Sequence, residues 1–156
     1  MICNLSVLFV ASLALLSCRP NATGTSSENT ETDCQQQKTI KGLSFYFNHY
    51  PYAEMDTIRI KVGGGSESWE SFGTPQQMVD SLREQRYFYF ERTINITDTV
   101  FFKLKNGKVH AAYNFRYLLR PHRGSATTDY SCDFYELYLD GEKQTGGVVS
   151  MERSKK

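Results

Sequence analysis

Val100-Phe101-Phe102-Lys103-Leu104-Lys105-Asn106-Gly107-Lys108-Val109 is the stretch on which the fold turns. Val100, Phe102 and Leu104 recur at every second position, the period of a half-buried strand. Asn106-Gly107 then supplies the pair that most readily takes the left-handed backbone of a tight hairpin. Beyond it Val109, Ala111, Tyr113, Phe115, Tyr117 and Leu119 keep one parity. This predicts an antiparallel pair of strands, with Lys105 and Lys108 flanking a two-residue turn. On that parity His110 falls on the solvent side.

The same period recurs on either side. Leu43, Phe45 and Phe47 alternate with Ser44, Tyr46 and Asn48, and Ile58, Ile60 and Val62 alternate with Thr57, Arg59 and Lys61. Tyr87–Ile96 is aromatic and β-branched, the composition of strands. After an expected loop at Arg120–Asp129, Tyr130–Leu139 reads as a strand, Asp140-Gly141 as a second hairpin turn, and Val148–Met151 as a short last strand. Thr74 as cap, Pro75 in the first turn, Gln77 three after the cap, and Met78, Val79 and Leu82 on one face predict one short helix, running to about Arg86. About seven strands with one short helix predict an all-β fold, an antiparallel β-sandwich. The alternative is α+β, an open antiparallel sheet covered by the helix. The sandwich would be immunoglobulin- or prealbumin-like in kind; Asp129-Tyr130-Ser131-Cys132 resembles the tyrosine corner of immunoglobulin-type sandwiches, which supports a sandwich but not immunoglobulin ancestry.

The chain has 156 residues, with 18 basic and 17 acidic side chains and a net charge of +1. That balance supplies no overall attraction for nucleic acid or for an anionic surface. Ten tyrosines and ten phenylalanines favour rings packed across strands.

The amino-terminal segment has a different character. Leu5–Leu16 is an apolar run broken only by Ser6 and Ser12. Spanning a bilayer needs roughly 20 apolar residues, so the run has the length of a signal-peptide core. Leu15-Leu16-Ser17-Cys18 resembles the lipobox of bacterial lipoproteins. In that family a diacylglycerol is attached to the cysteine thiol and the signal is cut immediately before it. The resemblance implies a signal peptide at 1–17, a lipidated flexible tether at 18–40 and a domain at 41–153, with Cys18 holding the protein to the membrane. Two or three acyl chains give a stable anchor where one does not. No Lys or Arg follows Met1, so an ordinary secretory signal with a chance cysteine, or a different start codon, stand as alternatives. Arg19–Thr39 has no aromatic or large aliphatic residue and reads as mobile chain. The absence of acidic residues directly after Cys18 favours the periplasmic side of an outer membrane over the cell surface. Asp56-Thr57-Ile58, Asp80-Ser81-Leu82 and Asp98-Thr99-Val100 resemble the O-glycosylation tripeptide of exported Bacteroidota proteins.

Of four cysteines, Cys3 would leave with the signal and Cys18 would be acylated. Cys34 and Cys132 would then either pair in an oxidising compartment or stay as two thiols. The three histidines, His49, His110 and His122, lack zinc-motif spacing, and no Cys-x-x-Cys exists. Gly63-Gly64-Gly65-Ser66 lacks the Lys of a phosphate loop and is followed by Glu67 and Glu70. No nucleophile elbow or triad spacing is present. No catalytic residue, metal ligand or cofactor is therefore assigned. Arg116, Arg120, His122 and Arg123 form a candidate contact for a carboxylate, phosphate or acidic sugar, the alternative being a solvated loop. Tyr46, Tyr50, Tyr52 and Trp69 form a candidate sugar platform, or else core packing. The functional expectation is a lipid-anchored cell-envelope protein with a non-catalytic binding or structural domain, its partner a protein or glycan and not nucleic acid. A small envelope hydrolase and a fimbrial or transport accessory subunit are the alternatives.

Overall fold

The structure is a computed structural model that describes residues 27–63, 68–82, 84–121 and 130–153. In chain order, α1 (Ser27–Gln35) precedes β1 (Thr39–Ile40) and β2 (Leu43–Asn48). The one-turn α2 (Tyr52–Met55) leads into β3 (Thr57–Val62), β4 (Glu70–Gly73) and β5 (Gln85–Phe90). The chain continues through β6 (Ile94–Asn95), β7 (Val100–Lys103), β8 (Val109–Pro121) and β9 (Tyr130–Leu139). It ends with β10 (Glu142–Thr145) and β11 (Val148–Glu152).

These strands build an all-β sandwich. One sheet has the order β10-β9-β8-β7-β3-β4 and the other the order β11-β2-β5, with β1 and β6 forming a small separate pair. The pairings are antiparallel except that β11 runs parallel to β2. Alternation in β2 and β3 sends Phe45, Phe47, Ile58 and Ile60 inward, each at most 1% exposed. Rings from the two sheets meet there: Phe45 lies edge-on to Phe102 at 4.9 Å, and Phe72 to Phe90 at 5.3 Å. Each such buried ring contributes about 1.5–3 kcal/mol by removal from water. Asp140 and Gly141, both with positive φ (52° and 95°), make the expected two-residue turn between β9 and β10. Gly147 (φ 68°) lets the chain cross from one sheet to the other, where a Cβ would collide with the Phe134 carbonyl.

Six expectations need correction. Among the described residues there is no helix at Thr74–Arg86. The buried Thr74 hydroxyl donates to the Met55 carbonyl instead of capping. The Asp80 carboxylate accepts the Leu82 amide, a local bond that competes with helix formation. The Val79 amide and the Gln85 carbonyl are paired at 2.9 Å, folding the segment into a turn that delivers β5. Arg86 becomes a buried strand residue that donates to the Tyr50 and Gln76 carbonyls.

The second correction concerns His110, which is 5% exposed and stacked on Phe102. An extra residue enters β8 between Tyr113 and Arg116, where Asn114 takes a positive φ of 56°. The bulge flips parity, so Ala112 and Phe115 both point inward although they are three apart. Third, Asn106-Gly107 does not form a two-residue loop. Buried Leu104 still belongs to the core, the last pair is Lys103↔Val109, and the turn closes through Gly107 N–H to Leu104 O at 2.9 Å.

Fourth, part of the presumed tether is a helix. In α1 the residues from Glu31 onward are exposed except Cys34, yet α1 packs on β8 and β9. The reason is covalent: Cys34 is joined to Cys132. Fifth, the tyrosine-corner resemblance does not extend to the cysteine, since Cys132 pairs with α1 instead of across the two sheets, and Tyr130 is 47% exposed. Sixth, the strand β8 runs on to Pro121, so Arg120 stands in register with Ser131, not in a loop.

Candidate functional site

Cys18 lies outside the described residues, as do His122 and Arg123. The structure brings Cys34 and Cys132 together, with an S–S distance of 2.15 Å and Cα atoms 5.3 Å apart. The closed loop spans 98 positions, for which chain entropy gives about 4.7 kcal/mol. Arg116 and Arg120 do not converge on a common point. Arg116 lines a hollow of about 250 Å³ along the seam between α1 and β8. Arg120 instead stacks its guanidinium 4.2 Å from the Tyr135 ring centre.

The tyrosine platform is dispersed as well. Tyr46 pairs with Tyr87, Tyr50 packs edge-on to Phe47, and Tyr52 lies under Arg86. Trp69 is on the other sheet and has different company. It precedes β4 on the outer face, where alternation in β3 and β7 points Arg59, Lys61, Phe101 and Lys103 away from the core. Lys103 Nζ is 4.7 Å from the indole centre, Lys61 Nζ 5.8 Å and Arg59 Cζ 6.0 Å. Lys61 Nζ also lies 5.2 Å from the Phe101 ring. None of the three cations has a carboxylate partner among the described residues.

Magnitudes show what this cluster lacks. An exposed cation–π contact contributes about 0.5–1 kcal/mol. Arg59 and Lys103 are direct cross-strand partners, and like charges directly opposite on neighbouring strands destabilise the pairing. The indole attracts the cations but carries no net charge to neutralise them. A hollow of about 380 Å³ adjoins the cluster, lined by Arg59, Lys103 and the ion pair Asp56–Lys105 (3.1 Å). Lys105 hydrogen-bonds Asp56 and holds its carboxyl below the ordinary value of 3.8. The shared outward parity of Arg59, Lys61 and Lys103 is a signal present in the alternation itself, but the candidate platform grouped Trp69 with tyrosines instead.

Two other polar clusters stand apart from this face. His110 Nδ1 is 2.6 Å from Asp140 Oδ2, the acid–imidazole half of a nucleophile triad. Its ring is buried against Phe102, and no serine, threonine or cysteine bonds to it among the described residues. Burial raises the Asp140 pKa, but the Ala111 amide and the His110 ring together outweigh it and leave the group below 3.8. The pair clips the β9–β10 turn to β8. At one end of the sandwich, His49 (φ 61°) sits between Glu84 and Glu152, 3.3 Å from each, beside the Glu54–Arg153 pair at 2.6 Å. These groups line a broad open hollow of about 990 Å³. No group of three or more His, Cys, Asp or Glu is placed to hold a metal among the described residues. No helix among them is long and apolar enough to cross a membrane. Set against known proteins, the chain matches no family model, no curated protein and no solved structure.

Proposed function

We propose that this chain is a lipid-anchored protein of the bacterial cell envelope. The thiol of Cys18 carries the lipid, and the sandwich acts as a non-catalytic binding module on the periplasmic side of an outer membrane. Its partner is a protein or glycan. The observation that carries the reading is the Cys34–Cys132 bridge, because disulfides of this kind persist in oxidising compartments and are rare in a reduced cytosol. The Leu15-Leu16-Ser17-Cys18 stretch supports the anchor, and the three cations around Trp69, without carboxylate partners among the described residues, support binding over catalysis.

The test is metabolic labelling with palmitate in a bacterial host. Labelled protein is expected in the membrane fraction for the native sequence, and none for Cys18→Ala. Equal labelling of the two, or a native chain that starts at another residue and carries no lipid, would defeat the anchor.

A further inference from the structure

The geometry points to the outer face of the six-stranded sheet around Trp69 as a binding site for an acidic polysaccharide. This rests on the envelope reading above, which sets the compartment in which the ligand is met. Three features of the face argue for that class.

The first is charge. Arg59 and Lys103 face each other across β3 and β7, Lys61 lies two residues along β3, and all three gather on the indole. Like charges held in register destabilise a sheet unless something neutralises them. Among the described residues none of the three has an acidic partner, so the face presents positive charge that an anion would complement. The second is the interleaving of rings. Phe101 shares a row with Lys61, and further across the same sheet Tyr113 stacks on Tyr138 at 5.9 Å. Rings present a negative face that attracts the C–H edges of a sugar as it attracts cations. The third is shape. From Trp69, before β4, to Tyr138 on β9 the ligand would cross four strand spacings, about 19 Å. That is the reach of an oligosaccharide, not of one sugar. The face is an open sheet with one hollow of about 380 Å³ beside Arg59 and Lys103, room for a single acidic residue of the chain.

Pyranose rings would therefore lie on the indole and phenyl surfaces, while carboxylate or sulfate groups reach Arg59, Lys61 and Lys103. A single-stranded nucleic acid would also use rings and cations, but the oxidising compartment disfavours it. An acidic protein would leave the rings without a stacking partner.

Trp69 is the single tryptophan, so its fluorescence reads the site directly. The full chain, purified in detergent, is titrated with polygalacturonate, oligothymidylate and polyglutamate at matched charge, and with neutral dextran. The expected result is a saturable change in emission with polygalacturonate, abolished by high salt, and none with dextran. Affinity should fall about tenfold in the double variant Arg59→Gln/Lys103→Gln, with an unchanged melting temperature showing that it still folds. Should the double variant unfold, Lys61→Gln alone serves, with a smaller loss expected. Native affinity in a folded variant, or no response to polygalacturonate, overturns the site. Equal binding of dextran overturns the role of charge, and tighter binding of oligothymidylate or polyglutamate overturns the saccharide. Palmitate labelling of Cys18 is independent of every arm, so a failed titration leaves the anchor standing, and a failed labelling leaves a measured ligand.

Discussion

Two segments of this chain behave in opposite ways. Residues 27–40 carry almost no apolar content, yet they form a helix and a short strand seated on the sandwich. Residues 74–84 carry the spacing of an amphipathic helix, yet they form turns and leave Met78, Val79 and Leu82 exposed at 43%, 61% and 95%. The difference lies in ties to the rest of the molecule. The first segment is held by the Cys34–Cys132 bond and by the Tyr117 hydroxyl donating to the Thr39 carbonyl at 3.0 Å. The second is held at both ends by polar groups, Thr74 and Arg86, whose bonds require non-helical chain between them. A helix of so few residues is marginal alone, and here two buried polar anchors outweigh it.

Removing the covalent tie should produce the largest effect. Cys34→Ser is expected to lower stability by about 2–5 kcal/mol, and a reductant should do the same to the native chain. Hydrogen exchange should rise sharply in Glu31–Gln36 while β2 and β3 stay protected. A helix that keeps its protection without the bond would show that side-chain packing, not the cross-link, orders it.

Arg86→Met tests the other segment. It leaves the Tyr50 and Gln76 carbonyls without their charged donor and is expected to remove about 2 kcal/mol in a denaturant titration. Exchange should increase between Gln76 and Glu84. A neutral outcome would mean that the turn is held elsewhere.

A smaller effect is expected at the Asp140 clip, a polar tie that responds to pH. The folded-state pKa of Asp140 is depressed. Its contribution is therefore present above the ordinary value of 3.8 and is lost as pH falls through the lower folded value. The carboxylate is 40% exposed, so screening keeps the contribution below about 1 kcal/mol. Asp140→Asn should lower the melting temperature at pH 7, and the two melting curves should converge in strong acid. A gap that persists at pH 2 would assign the effect to turn geometry rather than to charge.

Leu82→Ser should have the smallest effect, within about 0.5 kcal/mol. A buried leucine on a helix face would lose several times more, so a large loss would reinstate the helix.

Much of the sandwich was legible. Alternation in Leu43–Asn48, Thr57–Val62 and Val100–Lys103 marks strands whose inward residues are those buried in the structure. Asp140-Gly141 marks its turn correctly because both residues tolerate positive φ. His110 was misplaced because the inserted residue at Asn114 gives the residues before it the opposite parity to Phe115 after it, and period-two reading has no way to count a bulge that the partner strand defines. The Arg116–Arg120 group looked like a site because it is close in sequence. The cations that do gather, Arg59, Lys61 and Lys103, come from two strands separated by β4, β5 and β6.

By itself the sequence determined that strands form, which face of most of them is apolar, and that the chain turns at Asp140-Gly141, since these depend on neighbours one to four residues away. The tertiary structure alone decided that Cys34 reaches Cys132, that the 74–84 segment stays out of a helix, that β11 joins β2 in parallel, and that three cations converge on one indole. Each of those depends on which distant groups come into bonding range, and only the closed chain brings them there.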